Sequence, residues 1–202
     1  PPSAPSTSGN NVIELDLSGG VPEEVRAPLF GGAPRRAHVD LVRVIRSLSA
    51  GALPKGLFLQ FGTATLNLAV AEEIGELIAP LRGKGVPVVC HADEYGNGTL
   101  LLAARACSSI WLSPAGGVDS IGISAQLLYG RSLLDRLHVG VDFLQVGKYK
   151  GAEEPFTRDG PSPEARATLE GALRGMRSAW LAGIAEGRKK PGLAEVVEDG
   201  PF

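Results

Sequence analysis

The chain has 202 residues, with 20 Lys and Arg against 22 Asp and Glu, a formal charge of −2 and a pI near 6.0. One large or two small domains fit that length, and the charge balance excludes a basic face built for nucleic acid. Hydrophobic residues at 44% beside charged residues at 21% describe a globular chain able to bury a core, which excludes disorder for most of its length.

The first ten residues, PPSAPSTSGN, are rich in Pro and Ser and read as a flexible linker or stalk, without the basic and apolar regions of a signal peptide. No later run reaches the ~18 to 20 apolar residues that span a bilayer. Residues 11–202 read as a single domain. Within it VIELDL (Val12 to Leu17), GLFLQF (Gly56 to Phe61), VPVVCHA (Val86 to Ala92) and DFLQV (Asp142 to Val146) are near-continuous apolar runs. Such runs suit parallel strands covered on both faces. Between them Leu41, Val42, Ile45 and Leu48 share one helical face, as do Val70, Ile74, Leu77, Ile78 and Leu81, and a short alanine-rich period runs from Leu100 to Cys107. This alternation implies an α/β fold with right-handed crossovers. Beyond Gly160, Ser162 suits a helix cap and Pro163 the first helical position. Ala165, Leu169, Leu173, Met176, Trp180 and Ile184 then recur at helical spacing, so one long amphipathic helix should stop near Gly187. Pro191 should open a short helix through Val197. The chain stops in mid-pattern at GLAEVVEDGPF, as a domain truncated at its C-terminal end would.

Cys90 and Cys107 are too few for a disulfide scaffold or a four-ligand zinc site, and they read as small buried apolar residues, silent on compartment. The usual hydrolase, metallopeptidase and nucleotide-binding motifs are absent, and no cofactor or metal set is read. Of the three histidines, only His91 sits near the carboxyl end of an expected parallel strand, where α/β sites form, and it suits a satisfied structural role or a catalytic one. Asp93-Glu94 and Glu153-Glu154 are adjacent pairs whose side chains diverge, so solvated faces or helix caps describe them better than acid–base couples. Trp111 and Trp180 lie in apolar neighbourhoods and read as core residues.

Three motifs carry a resemblance. They are S-P-x-G-x-V-D-S-I-G from Ser113 to Gly122, L-L-D-R-L-H-V from Leu133 to Val139, and V-G-K-Y-K-G-A-E-E-P-F from Val146 to Phe156. The stretch resembles the signal peptide peptidase A (protease IV) family of bacterial serine–lysine peptidases, and weaker matches extend over the chain after the linker. The resemblance implies a Clp protease/crotonase-like spiral of βαβ units with a long C-terminal amphipathic helix. It also implies that Lys150, and not Lys148, is the catalytic general base. A free lysine titrates near ~10.4, so a base needs burial to depress that value, which lysine permits and arginine does not. Ser120 matches a serine that orients the lysine in single-domain relatives, although a turn serine bonding local backbone is the somewhat favoured reading. Gly62 falls where the family's oxyanion loop follows the second strand, and a tight turn explains it as well.

The chain departs from the family at the nucleophile. Where the family has S-G-G-Y-Y at a helix start, this chain has G-N-G-T-L-L-L, with Gly98 at the serine position and Thr99 beside it. Long family members carry two such domains, the first supplying the lysine and the second the serine, and this chain resembles the first. The resemblance therefore implies a signal-peptide-degrading endopeptidase whose nucleophile lies outside the chain. It implies apolar peptide substrates, a second catalytic domain of the same protein and a homotetramer. It also implies a membrane-associated place on the extracytoplasmic (periplasmic) face of the bacterial inner membrane. The alternative is a non-catalytic peptide-binding or assembly domain of the same fold. An acyl-CoA enzyme of that fold is disfavoured by the lysine motif.

Overall fold

A computed structural model describes residues 11–24, 37–119, 122–143 and 151–193. Its elements are β1 (Val12–Asp16), α1 (His38–Ala50), β2 (Gly56–Gly62), α2 (Leu68–Gly83), β3 (Val88–Gly96), α3 (Asn97–Ala106), β4 (Ser109–Asp119), α4 (Arg131–Arg136), α5 (Glu154–Thr157) and α6 (Pro163–Arg188). They divide between two compact units, residues 1–121 with 180–202 and residues 122–179.

The first unit holds a parallel sheet in the order β1-β2-β3-β4. A helix follows each of the first three strands, with α1 packed on α2 and α2 on α3. The α1 and α2 faces expected from periodicity supply the core: Leu41, Val42, Ile45 and Leu48, then Val70, Ile74, Ile78 and Leu81. In β2 the buried residues Leu57, Leu59 and Phe61 alternate with half-buried Phe58 and Gln60. In β3 buried Val88, Cys90 and Ala92 alternate with half-buried Val89 and His91. Among the described residues the sheet is therefore sealed on one face and partly open on the other, which corrects the expectation of cover on both. The runs read as continuous because Phe58 and Val89 are apolar on the open face, and side-chain type does not say which face a pleated strand presents.

β4 was not among the expected strands. Among the described residues it is an edge strand, with Pro114, Gly116 and Gly117 inside it, so it shows neither alternation nor an unbroken apolar run. Trp111, expected in the core, is 64% exposed on that edge, whereas Trp180 is 2% exposed and belongs to the core as expected. Of the run expected as a strand near the lysine motif, Asp142 and Phe143 lie in no strand and residues 144–146 fall outside the described residues. The same holds for residues 194–197 of the helix expected after Pro191. Cys90 and Cys107 are both buried, and they are joined in a disulfide with Cα atoms 5.9 Å apart. Their separation of 17 residues carries no pattern, and only the return of α3 beside β3 brings them together.

In the second unit Ser162 caps α6 as its sequence suggests, its Oγ accepting from Ala165 N at 3.1 Å. Ser132, at the start of α4, gives its backbone N–H (3.1 Å) and hydroxyl (2.5 Å) to Asp159 Oδ1. Phe143 and Phe156 stack with ring centroids 5.9 Å apart. The apolar stripe of α6 is less covered than its spacing implies, with Ala165, Leu169 and Leu173 half-buried and Met176 exposed.

Candidate active site

At the carboxyl end of the sheet, Asp16 Oδ1 accepts from Ser18 N at 2.9 Å. Hydrogen bonds from the Ser18 side chain and backbone hold this carboxyl below its ordinary range. Gly62 ends β2 with a φ of +57°, and a Cβ there would stand 3.2 Å from Ser18 Cβ. Both the turn and the crowding therefore require glycine. Beyond it a pocket of about 340 Å³ is lined by Thr63, Asp93, Glu94, Ser113 and residues 115–117. β4 bulges here, because Ala92 pairs with Leu112 but Glu94 pairs with Gly117. Ser113, on the bulge, donates its hydroxyl to Asp93 Oδ1 and lies 3.3 Å from His91 Nε2. In a hydrolytic triad the imidazole takes the serine proton. Here the serine hydroxyl hydrogen-bonds to a carboxylate as well as facing the imidazole, so the cluster pins the bulge to β3. His91 thus has a structural partner in Ser113, whose part the sequence did not signal.

The start of α3, at Gly98 and Thr99, is closed. Asn67 caps α2 by accepting from Val70 N at 2.8 Å. The preceding Leu66 carbonyl oxygen occupies the space that a Cβ on Gly98 would need. Thr99 is 0% exposed, and its Oγ1 accepts from Gly96 N (3.0 Å) and donates to Gly96 O (3.2 Å). Its hydroxyl is a helix cap. Trp180 Nε1 donates to Asn97 O at 2.9 Å and holds the same turn. Just before it Tyr95 is buried, its hydroxyl donating to Trp111 O at 3.1 Å, and burial pushes the phenol far above its ordinary pKa.

Lys150, Lys148 and Ser120 lie outside the described residues. The residues that follow Lys150 are described. Glu154 N donates to Gly151 O at 3.1 Å, closing a tight turn into α5. The Glu154 side chain, expected on a solvated face or as a cap, is only 7% exposed. Its Oε2 accepts from Ser162 N at 2.9 Å. The side-chain hydrogen bond with Ser162, then the backbone one, and to a smaller extent the charge of Arg158, hold the carboxyl below its ordinary range. Burial is possible because the unpaired donors at the start of α6 take the place of water. The signal that could have found it is the S-P helix start eight residues downstream, which offers donors to a nearby carboxylate. A groove of about 330 Å³ runs beside this turn, between Gly151 and Glu154 and the first turns of α6 at Ala165, Thr168 and Leu169.

Among the described residues no group of three or more His, Cys, Asp or Glu is placed to hold a metal, and no helix is long and apolar enough to cross a membrane. The family model of peptidase family S49 matches residues 81–200. A curated relative named Protease 4, from Haemophilus influenzae, is 34% identical over 157 residues, covering 77% of this chain and 25% of the relative. Another Protease 4, from Salmonella typhi, is 36% identical over 143 residues, covering 68% and 23%. A chloroplastic protein of Arabidopsis thaliana named Serine protease SPPA is 22% identical over 149 residues, covering 73% and 22%. The chain spans about a quarter of the length of the curated relatives it matches.

Proposed function

Because the chain belongs to peptidase family S49, the signal peptide peptidase A family, we propose that it is the lysine-bearing domain of a serine–lysine endopeptidase that degrades cleaved signal peptides. The observation that carries this reading is the closed start of α3. Gly98 has no room for a side chain and Thr99 is spent on its own cap, while the V-G-K-Y-K-G-A-E-E-P-F motif lies inside the family match. A domain that keeps the base motif and has no place for the nucleophile is suited to serve a serine in another domain.

In that chemistry the neutral Lys150 amine takes the proton of the distant serine hydroxyl as its oxygen bonds to the substrate carbonyl carbon. The resulting ammonium returns a proton to the leaving amine, and the acyl ester is then hydrolysed by water activated by the same amine. Ser120 orients the lysine, and the turn at Gly62 is the candidate oxyanion loop. The sequential parallel order β1-β2-β3-β4 with side-by-side helices supports a Clp protease/crotonase-like spiral. The same reading includes apolar peptide substrates, homo-oligomeric assembly and a membrane-associated place in the bacterial cell envelope, facing the periplasm.

The test is Lys150→Met in the complete protein. Turnover is expected to fall thousands-fold or more, on the order of the loss of the nucleophile itself, because members of such a unit are non-additive. Lys148→Met should leave turnover within a few-fold of wild type. Equal turnover in Lys150→Met and wild type, both folded by circular dichroism, would exclude the assignment. It would promote the second reading, a non-catalytic peptide-binding or assembly domain, which the closed α3 start also favours.

A further inference from the structure

We propose that Glu154 is the positioning residue for the lysine-bearing segment, its buried carboxylate fixing the Gly151 turn against the start of α6. The inference rests on the reading of Lys150 as general base, and Lys150 is bonded directly to Gly151. Three contacts define the device. The Glu154 carboxylate is fastened to Ser162, the cap of the 26-residue helix α6, by the Ser162 backbone N–H at 2.9 Å. The backbone turn closes on the same residue through Glu154 N to Gly151 O at 3.1 Å. The absence of a side chain at Gly151 then makes room for the carboxylate, since a Cβ there would stand 3.1 Å from Glu154 Oε1 and 3.2 Å from its Cδ.

The chemistry favours this role over a merely structural one. A buried carboxylate is an expensive way to hold a turn unless every lone pair is used, and a packed apolar residue would serve as well for stability. A carboxylate fastened to a long helix gives a directional anchor instead, so the residue after the base is held to a fixed frame. Arg158, just past the end of α5, and Glu164 on α6 are the charged neighbours, the first favouring the ionised form and the second lining the same groove. General-base catalysis depends on such a frame, because a displacement of about 1 Å can cost on the order of 100-fold in rate.

The experiment compares Glu154→Ala, Glu154→Gln and Lys150→Met in the complete protein. The readouts are kcat, KM, the pH–rate profile with a quenched-fluorescence apolar peptide, and melting temperature. Glu154→Ala should lower kcat by about 10- to 100-fold with KM within about threefold. The rate rises with pH where only the neutral amine acts as base, and in Glu154→Ala this rise should move to higher pH, because a lysine more open to water titrates closer to its free value. Glu154→Gln keeps an acceptor for Ser162 N and should recover kcat to within about threefold of wild type. Wild-type kcat and pH profile in Glu154→Ala beside a dead Lys150→Met would overturn this inference alone. A fully active Lys150→Met would overturn the general-base reading beneath it. A fall in kcat that only tracks lost folded protein, with the profile unmoved, would also overturn it. Should Glu154→Ala fail to fold, Gly151→Ala crowds the same carboxylate, and wild-type kcat and profile in that variant would be equally decisive against it.

Discussion

The start of α3 and the turn Gly151–Glu154 are both glycine-bearing bends that lead into helices, and they use the missing side chain in opposite ways. At Gly98 the space is filled by backbone, the Leu66 carbonyl, and no other residue fits. At Gly151 the space admits a side chain, the Glu154 carboxylate, which is fastened to the next helix. The first bend is a closed structural joint with its hydroxyl consumed by a cap. The second is an organised polar frame beside the residue proposed as the base. One bend thus uses a missing side chain to close a backbone joint, and the other uses it to seat a carboxylate.

The largest effect that would break the first side of this comparison comes from Trp180, which is buried and bonds to Asn97 O. Trp180→Ala should cost about 3 to 5 kcal/mol, read in the complete protein as faster hydrogen exchange of the α3 amides. Unchanged protection would mean that Trp180 does not hold the joint.

Gly98→Ser comes next. Its Cβ meets the Leu66 carbonyl, so about 1 to 3 kcal/mol of overpacking strain is expected in the same exchange measurement. The chain Pro1–Phe202 bearing it should hydrolyse no peptide, and turnover by that variant would show that the joint is open.

Thr99→Val, which keeps the shape and removes the cap, should cost about 1 to 2 kcal/mol by leaving Gly96 N unpaired, and Thr99→Ser should restore most of it. Turnover of the complete protein should not change in either. A turnover defect in Thr99→Val at full stability would assign that hydroxyl a chemical role.

Acid sharpens the other side. Glu154 and Asp159 have carboxyls held below their ordinary values of 4.5 and 3.8. Their contribution to stability is complete above those values and is lost as pH falls through the lower folded ones. The second unit should therefore loosen in this acid range, seen as rising exchange of the α5 and early α6 amides. Glu154→Gln should flatten that rise. The Gly96–Thr99 joint contains no titrating side chain, so an equal response there would erase the contrast.

Much of the scaffold was legible in the sequence. The α1 and α2 stripes, the α6 cap at Ser162 and the strands β1 to β3 follow from local periodicity and the stiffness of proline, both short-range properties. The edge strand β4 was not, because its pairing with β3 supplies what its own Pro and Gly residues deny. Nor was the exposure of Trp111, since an apolar neighbourhood in sequence does not say whether another layer lies above it.

The sequence by itself determined the family motifs, the position of the lysine at 150 and the lack of a serine at the α3 start, because these are identities in a linear order. Only the tertiary structure decided that Gly98 is closed by Leu66, that Ser113 meets both Asp93 and His91, and that Glu154 is buried against Ser162. Each depends on atoms brought within a few ångströms by segments remote in the chain or by a turn whose direction no single residue specifies. Steric exclusion and hydrogen-bond direction fall off over that same short distance, so they become visible only when the chain has folded.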